Sequence, residues 1–135
     1  MKDHPAELFI GTLSRRSGVN IETIRYYERI GLMPAPPRSD GGHRVYDHDH
    51  LKRLSFIHRS RRLGFSIKEI RELLGLIESD FSCRDVRAVV LDHAEDVRTK
   101  IADLKKIEST LLAFADQCDG GETADCPIIN QLLDA

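Results

Sequence analysis

Residues 18–31 read Gly18-Val19-Asn20-Ile21-Glu22-Thr23-Ile24-Arg25-Tyr26-Tyr27-Glu28-Arg29-Ile30-Gly31, and this stretch decides the first half of the fold. Asn20 is a good N-cap, because its side-chain oxygen can accept from an amide that the first helical turn leaves unpaired. The spacing predicts a helix from Ile21 to Ile30, and Gly31 ends it. Upstream, Ile10 to Ser17 reads as a shorter helix with Ile10 and Leu13 on one side, broken by Gly18. A helix, a brief glycine-containing turn and a second helix predict a helix-turn-helix. Residues 1–8 are polar, contain Pro5 and read as a frayed start.

Beyond Gly31, residues 33–42 hold three prolines and a paired glycine, which bar a helix. Asp40-Gly41-Gly42 is a hairpin-turn signal, so Arg38-Ser39 and Arg44-Val45-Tyr46 are expected to pair as a short two-stranded wing. Asp47 or Asp49 then caps a helix reaching about Leu63, with Leu51, Leu54, Phe56 and Ile57 at helical spacing. Gly64 ends it. Ser66-Ile67-Lys68-Glu69 is a capping box that opens another helix through Leu76 or Ile77. Residues 78–82 form a polar joint. From Cys83 to Gln117 there is neither glycine nor proline. Val86, Val90, His93, Val97, Leu104, Ile107, Leu111 and Phe114 recur at threes and fours, which predicts one long helix of about 50 Å. Such a helix cannot bury its stripe alone, and a second copy is the simplest partner. Asp119-Gly120-Gly121 stops it, a loop runs to Cys126, and Pro127 starts a short apolar helix.

The 135 residues carry 20 Lys+Arg against 22 Asp+Glu, a net charge of -2 that hides an asymmetry. Residues 1–75 hold 14 basic and 9 acidic side chains, whereas residues 76–135 hold 6 and 13. The basic half suits a polyanion, nucleic acid first among the candidates. No apolar run approaches the roughly 20 residues of a membrane span, so no membrane partner is expected. No charged start followed by a long apolar stretch suggests a secretory signal. An odd count of three cysteines argues against a secreted disulfide framework and for a reducing, cytoplasmic setting. No nucleophile–base pair, phosphate loop or open metal site is legible, so the chain reads as no enzyme.

Three stretches together resemble the winged helix-turn-helix domain of the MerR family: 19–32, Arg38-Ser39 with Gly42-His43-Arg44-Val45-Tyr46, and Leu63-Gly64-Phe65-Ser66-Ile67-Lys68-Glu69-Ile70. Residues 83–126 resemble the metal-sensing branch of that family, whose members are dimeric transcription regulators. The resemblance implies a mainly α fold in three parts. These are a winged helix-turn-helix domain over 1–77, a linker with a long dimerisation helix in an antiparallel coiled coil over 78–117, and a metal-binding loop with a short C-terminal helix over 118–135. It also implies binding to double-stranded promoter DNA, action with RNA polymerase at the promoter, and activation of metal-resistance genes.

On that resemblance the second helix enters the major groove, where Arg25 meets phosphate or a guanine edge and Thr23 lies on the leading turns. Tyr27 can donate its hydroxyl to phosphate, while Tyr26 reads as core. Arg38, Arg44 and Tyr46 flank the wing and would clamp the backbone, with His43 within reach of phosphate. Of the basic cluster Arg59, Arg61 and Arg62, at least one reads as a solvated face.

Cys118 and Cys126 are separated by seven residues, and Cys83 lies 35 before Cys118. None falls on the apolar stripe, and thiolates favour soft metals. Thiols at opposite ends of a helix of about 50 Å cannot share one ion within a chain. Two chains in antiparallel register can, with Cys83 of the partner chain joining Cys118 and Cys126, and this arrangement is also what the resemblance implies. Relatives that sense monovalent metals carry Ser at the position of Cys83, so this chain matches the divalent branch. Zinc sensors add loop ligands that are missing here, and Asp119, Glu122 and Asp125 read as solvated carboxylates. Three thiolates suit mercury(II), Hg(II), best. Pb(II) and Cd(II) come next, then Zn(II), and Cu(I) because the loop length is closer to the copper type. A thiol-based metal buffer without operator binding is the reading from another class.

Overall fold

The computed structural model describes residues 7–118, 120–121 and 125–134. Among them six helices follow in order: α1 (Ile10–Ser17), α2 (Ile21–Arg29), α3 (His48–Arg62), α4 (Ile67–Ile77), α5 (Cys83–Asp116) and α6 (Pro127–Leu133). The chain divides into two compact units, Met1–Val89 and Val90–Ala135. This is the mainly helical fold that the sequence predicts, with the helix-turn-helix, the turn-linked wing and the long helix all present.

Local chemistry sets most of the helix starts. Asn20 accepts from the Thr23 amide at 2.8 Å and caps α2. Asp47, rather than Asp49, caps α3: it accepts from the His50 amide at 3.0 Å, and the His50 ring reaches back to the Asp47 amide. Ser66 and Glu69 close the expected capping box at α4. Gly18 ends α1 with φ +79°, a conformation that side chains rarely adopt, and a Cβ there would stand 3.3 Å from the His58 ring.

The first unit is built around Leu13, Ile24, Leu32, Met33, Tyr46, Leu54, Ile57 and Ile70, all fully buried. Val86 and Val89, at the start of α5, pack against this core. Two arginines fix the C-terminal end of α2. Arg53 of α3 donates to the Leu32 carbonyl at 2.8 Å, and Arg71 of α4 donates to the Ile30 carbonyl. The carbonyl of Ile30, the C-cap of α2, and that of Leu32 just beyond it thus gain cationic donors near the negative end of the helix dipole.

Three sequence expectations are corrected. Leu8 is no frayed residue: it is buried and exchanges both backbone hydrogen bonds with Tyr46, at 2.8 and 2.7 Å. Residues 1–6 lie outside the described residues. The wing forms a single bridge, Arg38 with Arg44, instead of a two-stranded ladder. Its turn is closed by the Ser39 amide donating to His43 O at 2.7 Å and by Arg38 Nη1 donating to Gly42 O at 2.8 Å. Tyr26, read as core, is 45% exposed, whereas Tyr27 is the buried one at 7%. The Arg29 guanidinium lies 5.8 Å over the Tyr26 ring at the surface.

The second unit contains most of α5 and all of α6. Val90, Val97, Leu104, Ile107 and Leu111 are exposed, and His93 is the one buried residue of α5. α5 is unbroken over 34 residues. No helix is long and apolar enough to cross a membrane, among the described residues.

Candidate functional site

α2 and the wing present one basic face. A concavity of about 520 Å³ is lined by Phe9, Arg25, Arg38, His43 and Arg44. A neighbouring one of about 360 Å³ is lined by Arg25, Glu28, Arg29, Arg38 and Arg44. Arg25, from the exposed side of α2, therefore meets Arg38 and Arg44 from the two limbs of the wing. Three guanidiniums around one hollow make it attractive to a polyanion, and guanidinium donors suit phosphate. His43 is exposed and stands edge-to-face with Phe9, centroids 6.3 Å apart. Thr23 sits half-buried in the first turn of α2.

Of the two tyrosines assigned to phosphate, Tyr46 has its hydroxyl engaged elsewhere. Tyr46 is 1% exposed and its hydroxyl donates to Glu28 Oε1 at 2.5 Å. Burial first, and the bond to Glu28 second, push the Tyr46 hydroxyl well above its ordinary pKa, so it stays a donor. That hydroxyl is spent inside the first unit and is corrected from a phosphate clamp to a core bond. The ring also meets His50 edge-to-face at 5.4 Å. Tyr27 belongs to the core cluster and is 7% exposed.

Sequence reasoning passed over Phe9, Glu28 and Arg29. Arg29 was findable, because four residues after Arg25 it shares a helix face with it. Glu28 was not, because its partners are in the wing. Arg44 Nε lies 3.2 Å from Glu28 Oε2, and the Glu28 side chain is only 9% exposed. In the basic cluster after the wing, Arg61 donates to the Phe65 carbonyl at 2.9 Å and so serves the turn between α3 and α4.

The three thiols are free: Cys83 and Cys118 are exposed and Cys126 is half-buried. Cys83 opens α5 within the first unit; Cys118 follows the end of α5 and Cys126 precedes α6, both in the second unit. As soft donors that no core encloses, they fit a thiophilic ion chemically. Of the loop carboxylates, Asp125 accepts from Asn130 Nδ2 at 2.7 Å, and Asp119 and Glu122 lie outside the described residues.

Comparison with known proteins bears on both halves. The family described as "MerR HTH family regulatory protein" matches residues 9–77, and that described as "MerR, DNA binding" matches residues 51–114. The mercuric resistance operon regulatory protein of Bacillus cereus is 44% identical over 126 residues, covering 92% of this chain and 96% of that protein. The transcription regulator PbrR691 of Ralstonia metallidurans CH34, solved in complex with lead(II), superposes with a TM-score of 0.78 at 39% identity, over 93% of this chain and 98% of that one. The dual-function regulator MerR of Bacillus megaterium MB1, solved with mercury(II), gives a TM-score of 0.74 at 38% identity, over 94% of this chain and 100% of that one. With its helix-turn-helix, its wing and its long helix all matched, this chain belongs to the MerR family, whose members are transcription regulators and not enzymes.

Proposed function

We propose that this chain is a metal-responsive regulator that binds promoter DNA through α2 and the wing and takes a thiophilic divalent metal, mercury(II) foremost, at Cys118, Cys126 and Cys83 of a second copy. The observation that carries the DNA half is the convergence of Arg25, Arg38 and Arg44 on one hollow. Thr23, at the start of α2, and His43, at the tip of the wing, extend that face. The metal half rests on three free thiols, none in the core, and on relatives whose names include mercury resistance and a lead complex.

On this reading the three thiols come from two chains. Thirty-four residues of unbroken helix rise about 50 Å, far beyond any metal–sulfur bond. An antiparallel pair, the arrangement that also covers the exposed stripe of α5, brings each chain's Cys83 to the other's Cys118 and Cys126 and gives two equivalent sites. Bound metal supplies charge neutralisation among the thiolates and a fixed distance between the chains. The chain's own contribution is a rigid helix that links each thiol end to a DNA-binding domain. A two-state reorientation of those domains then alters the spacing and twist of the promoter presented to RNA polymerase.

The test is titration of the purified, reduced chain with Hg(II), Pb(II), Cd(II), Zn(II) and Cu(I) in turn, read by thiolate-to-metal absorption. Saturation by Hg(II) with a three-thiolate spectrum, ahead of the others, is the expected result. A two-thiolate spectrum with tightest binding of Cu(I) reassigns the metal. Metal binding without any sequence-selective duplex binding makes the chain a thiol buffer and ends the regulatory reading.

A further inference from the structure

The basic face contains one acidic residue that electrostatics alone would remove. Glu28 lies on α2 between Arg25 and Arg29, beside the hollow lined by Arg25, Arg29, Arg38 and Arg44. A carboxylate there repels the same polyanion that the arginines attract. It is nevertheless built in. Its side chain is 9% exposed, Oε2 lies 3.2 Å from Arg44 Nε, and Oε1 accepts from the Tyr46 hydroxyl at 2.5 Å. A carboxylate so far withdrawn from water persists only with partners, and both its oxygens have one.

The partners sit on either side of one wing residue. Arg44 and Tyr46 belong to the limb of the wing that returns to the core, and Tyr46 is pinned to Leu8 by two backbone bonds. Glu28 thus joins α2 to the wing through side chains 16 and 18 residues away in sequence. Pairing through Nε holds the Arg44 guanidinium by its inner edge and leaves the two terminal nitrogens for another acceptor. The Arg44 side chain is 30% exposed, which matches an anchored stem with a presented head.

We infer that Glu28 is a positioning residue for DNA binding: it presets Arg44 toward the phosphate backbone and locks the wing to α2, so that both meet the duplex as one rigid surface. This rests on the reading that α2 and the wing hold duplex DNA. Preorganisation of this kind spares the duplex from ordering a long, rotamer-rich side chain during binding. It outweighs the repulsion because Arg44 and Tyr46 already take up the carboxylate's charge and lone pairs.

The two physical accounts differ in sign. If Glu28 were only a misplaced charge, Glu28→Gln would tighten DNA binding. As a positioning residue, its loss weakens it. The probe is a duplex enriched from a random-sequence pool by the unsubstituted full-length chain, followed by fluorescence anisotropy across a salt series, with thermal melting to monitor the fold. Glu28→Gln keeps an oxygen for Tyr46 and loses the ion pair; it is expected to weaken binding by about tenfold, the worth of one charge-assisted contact. Glu28→Asp keeps the charge but withdraws it by one methylene, and it is expected to weaken binding as well. Added to Arg44→Ala, Glu28→Gln is expected to change affinity little further, because it acts through Arg44.

Unchanged or tighter binding by Glu28→Gln overturns the inference, and so does full additivity with Arg44→Ala. If Glu28→Gln fails to fold, Glu28→Asp decides by the same criterion. When Arg25→Ala and Arg44→Ala bind more weakly and Glu28→Gln does not, only the positioning role falls. When neither arginine variant changes affinity, the DNA interface itself falls, and the role of Glu28 with it.

Discussion

Arg25 and Arg44 share a hollow but are held differently: Arg25 stands exposed on α2, and Arg44 is tied to Glu28. Either residue replaced by Ala is expected to weaken duplex binding and to reduce the salt dependence of log K by about one unit if it neutralises one phosphate. Metal titration of the same variants should match the unsubstituted chain, because the substitutions lie in the DNA-binding half. Tyr46→Phe probes the opposite side of Glu28. Removing a hydroxyl that donates to a carboxylate within the core is expected to cost about 1.5–3 kcal/mol in chemical unfolding. The pKa of that hydroxyl is raised by burial and by Glu28, so it remains protonated across neutral and mildly alkaline pH. The loss in Tyr46→Phe should therefore be the same at pH 7 and pH 9, within the range where the whole chain is folded.

The helices were legible where their signals are local. Asn20, Asp47, Ser66 with Glu69, and Pro127 each mark a start that the structure keeps, because a cap acts over three residues and needs no tertiary partner. The Asp47 cap carries a pH dependence. The His50 amide, donating to the carboxylate, holds Asp47 below its ordinary pKa. A depressed folded-state pKa means that this stabilisation is complete above the ordinary carboxylate range and fades as pH falls through the lowered value. Asp47→Asn, which retains a capping oxygen without the charge, should lose that portion of the acid sensitivity when melting is followed from neutral pH downward. Elements that depend on distant partners were harder to read. Tyr26 and Tyr27 are adjacent on α2 and alike in chemistry; only tertiary packing chooses which one is buried. Leu8 is paired with Tyr46, far along the chain, and nothing local in the sequence points the Tyr46 hydroxyl to Glu28. The basic character of the wing was plain in sequence, whereas its single bridge and its tie to α2 are products of tertiary packing.

At the scale of the whole molecule, the thiols and the long helix belong to one problem. Cys83→Ser removes a soft ligand and leaves Cys118 and Cys126, a pair suited to two-coordinate monovalent metal. The expected outcome is a weaker Hg(II) response and relatively stronger Cu(I) binding; an undiminished divalent response would remove Cys83 from the site. A mixed dimer tests the arrangement directly. One chain lacks Cys83 and the other lacks both Cys118 and Cys126, so neither homodimer holds a complete trio. The heterodimer regains one trio and should saturate near one equivalent, with about half the capacity of the original two-fold pair. Failure to recover any three-thiolate signal would rule out ligands shared between chains. The exposed apolar side of α5 has a further consequence, which concerns supply. In the proposed pairing, a helix that leaves Val90, Leu104, Ile107 and Leu111 in water when alone would gain stability only to the extent that a second copy is present. Mass action makes that gain about 2.7 kcal/mol when the chain stands at a hundred times its dissociation constant, and almost nothing well below it. Dilution should therefore lower the melting temperature with no change in composition. On the proposed function, in a cell holding few copies the rate at which the chain is made and degraded would become a second input to the promoter, alongside the metal.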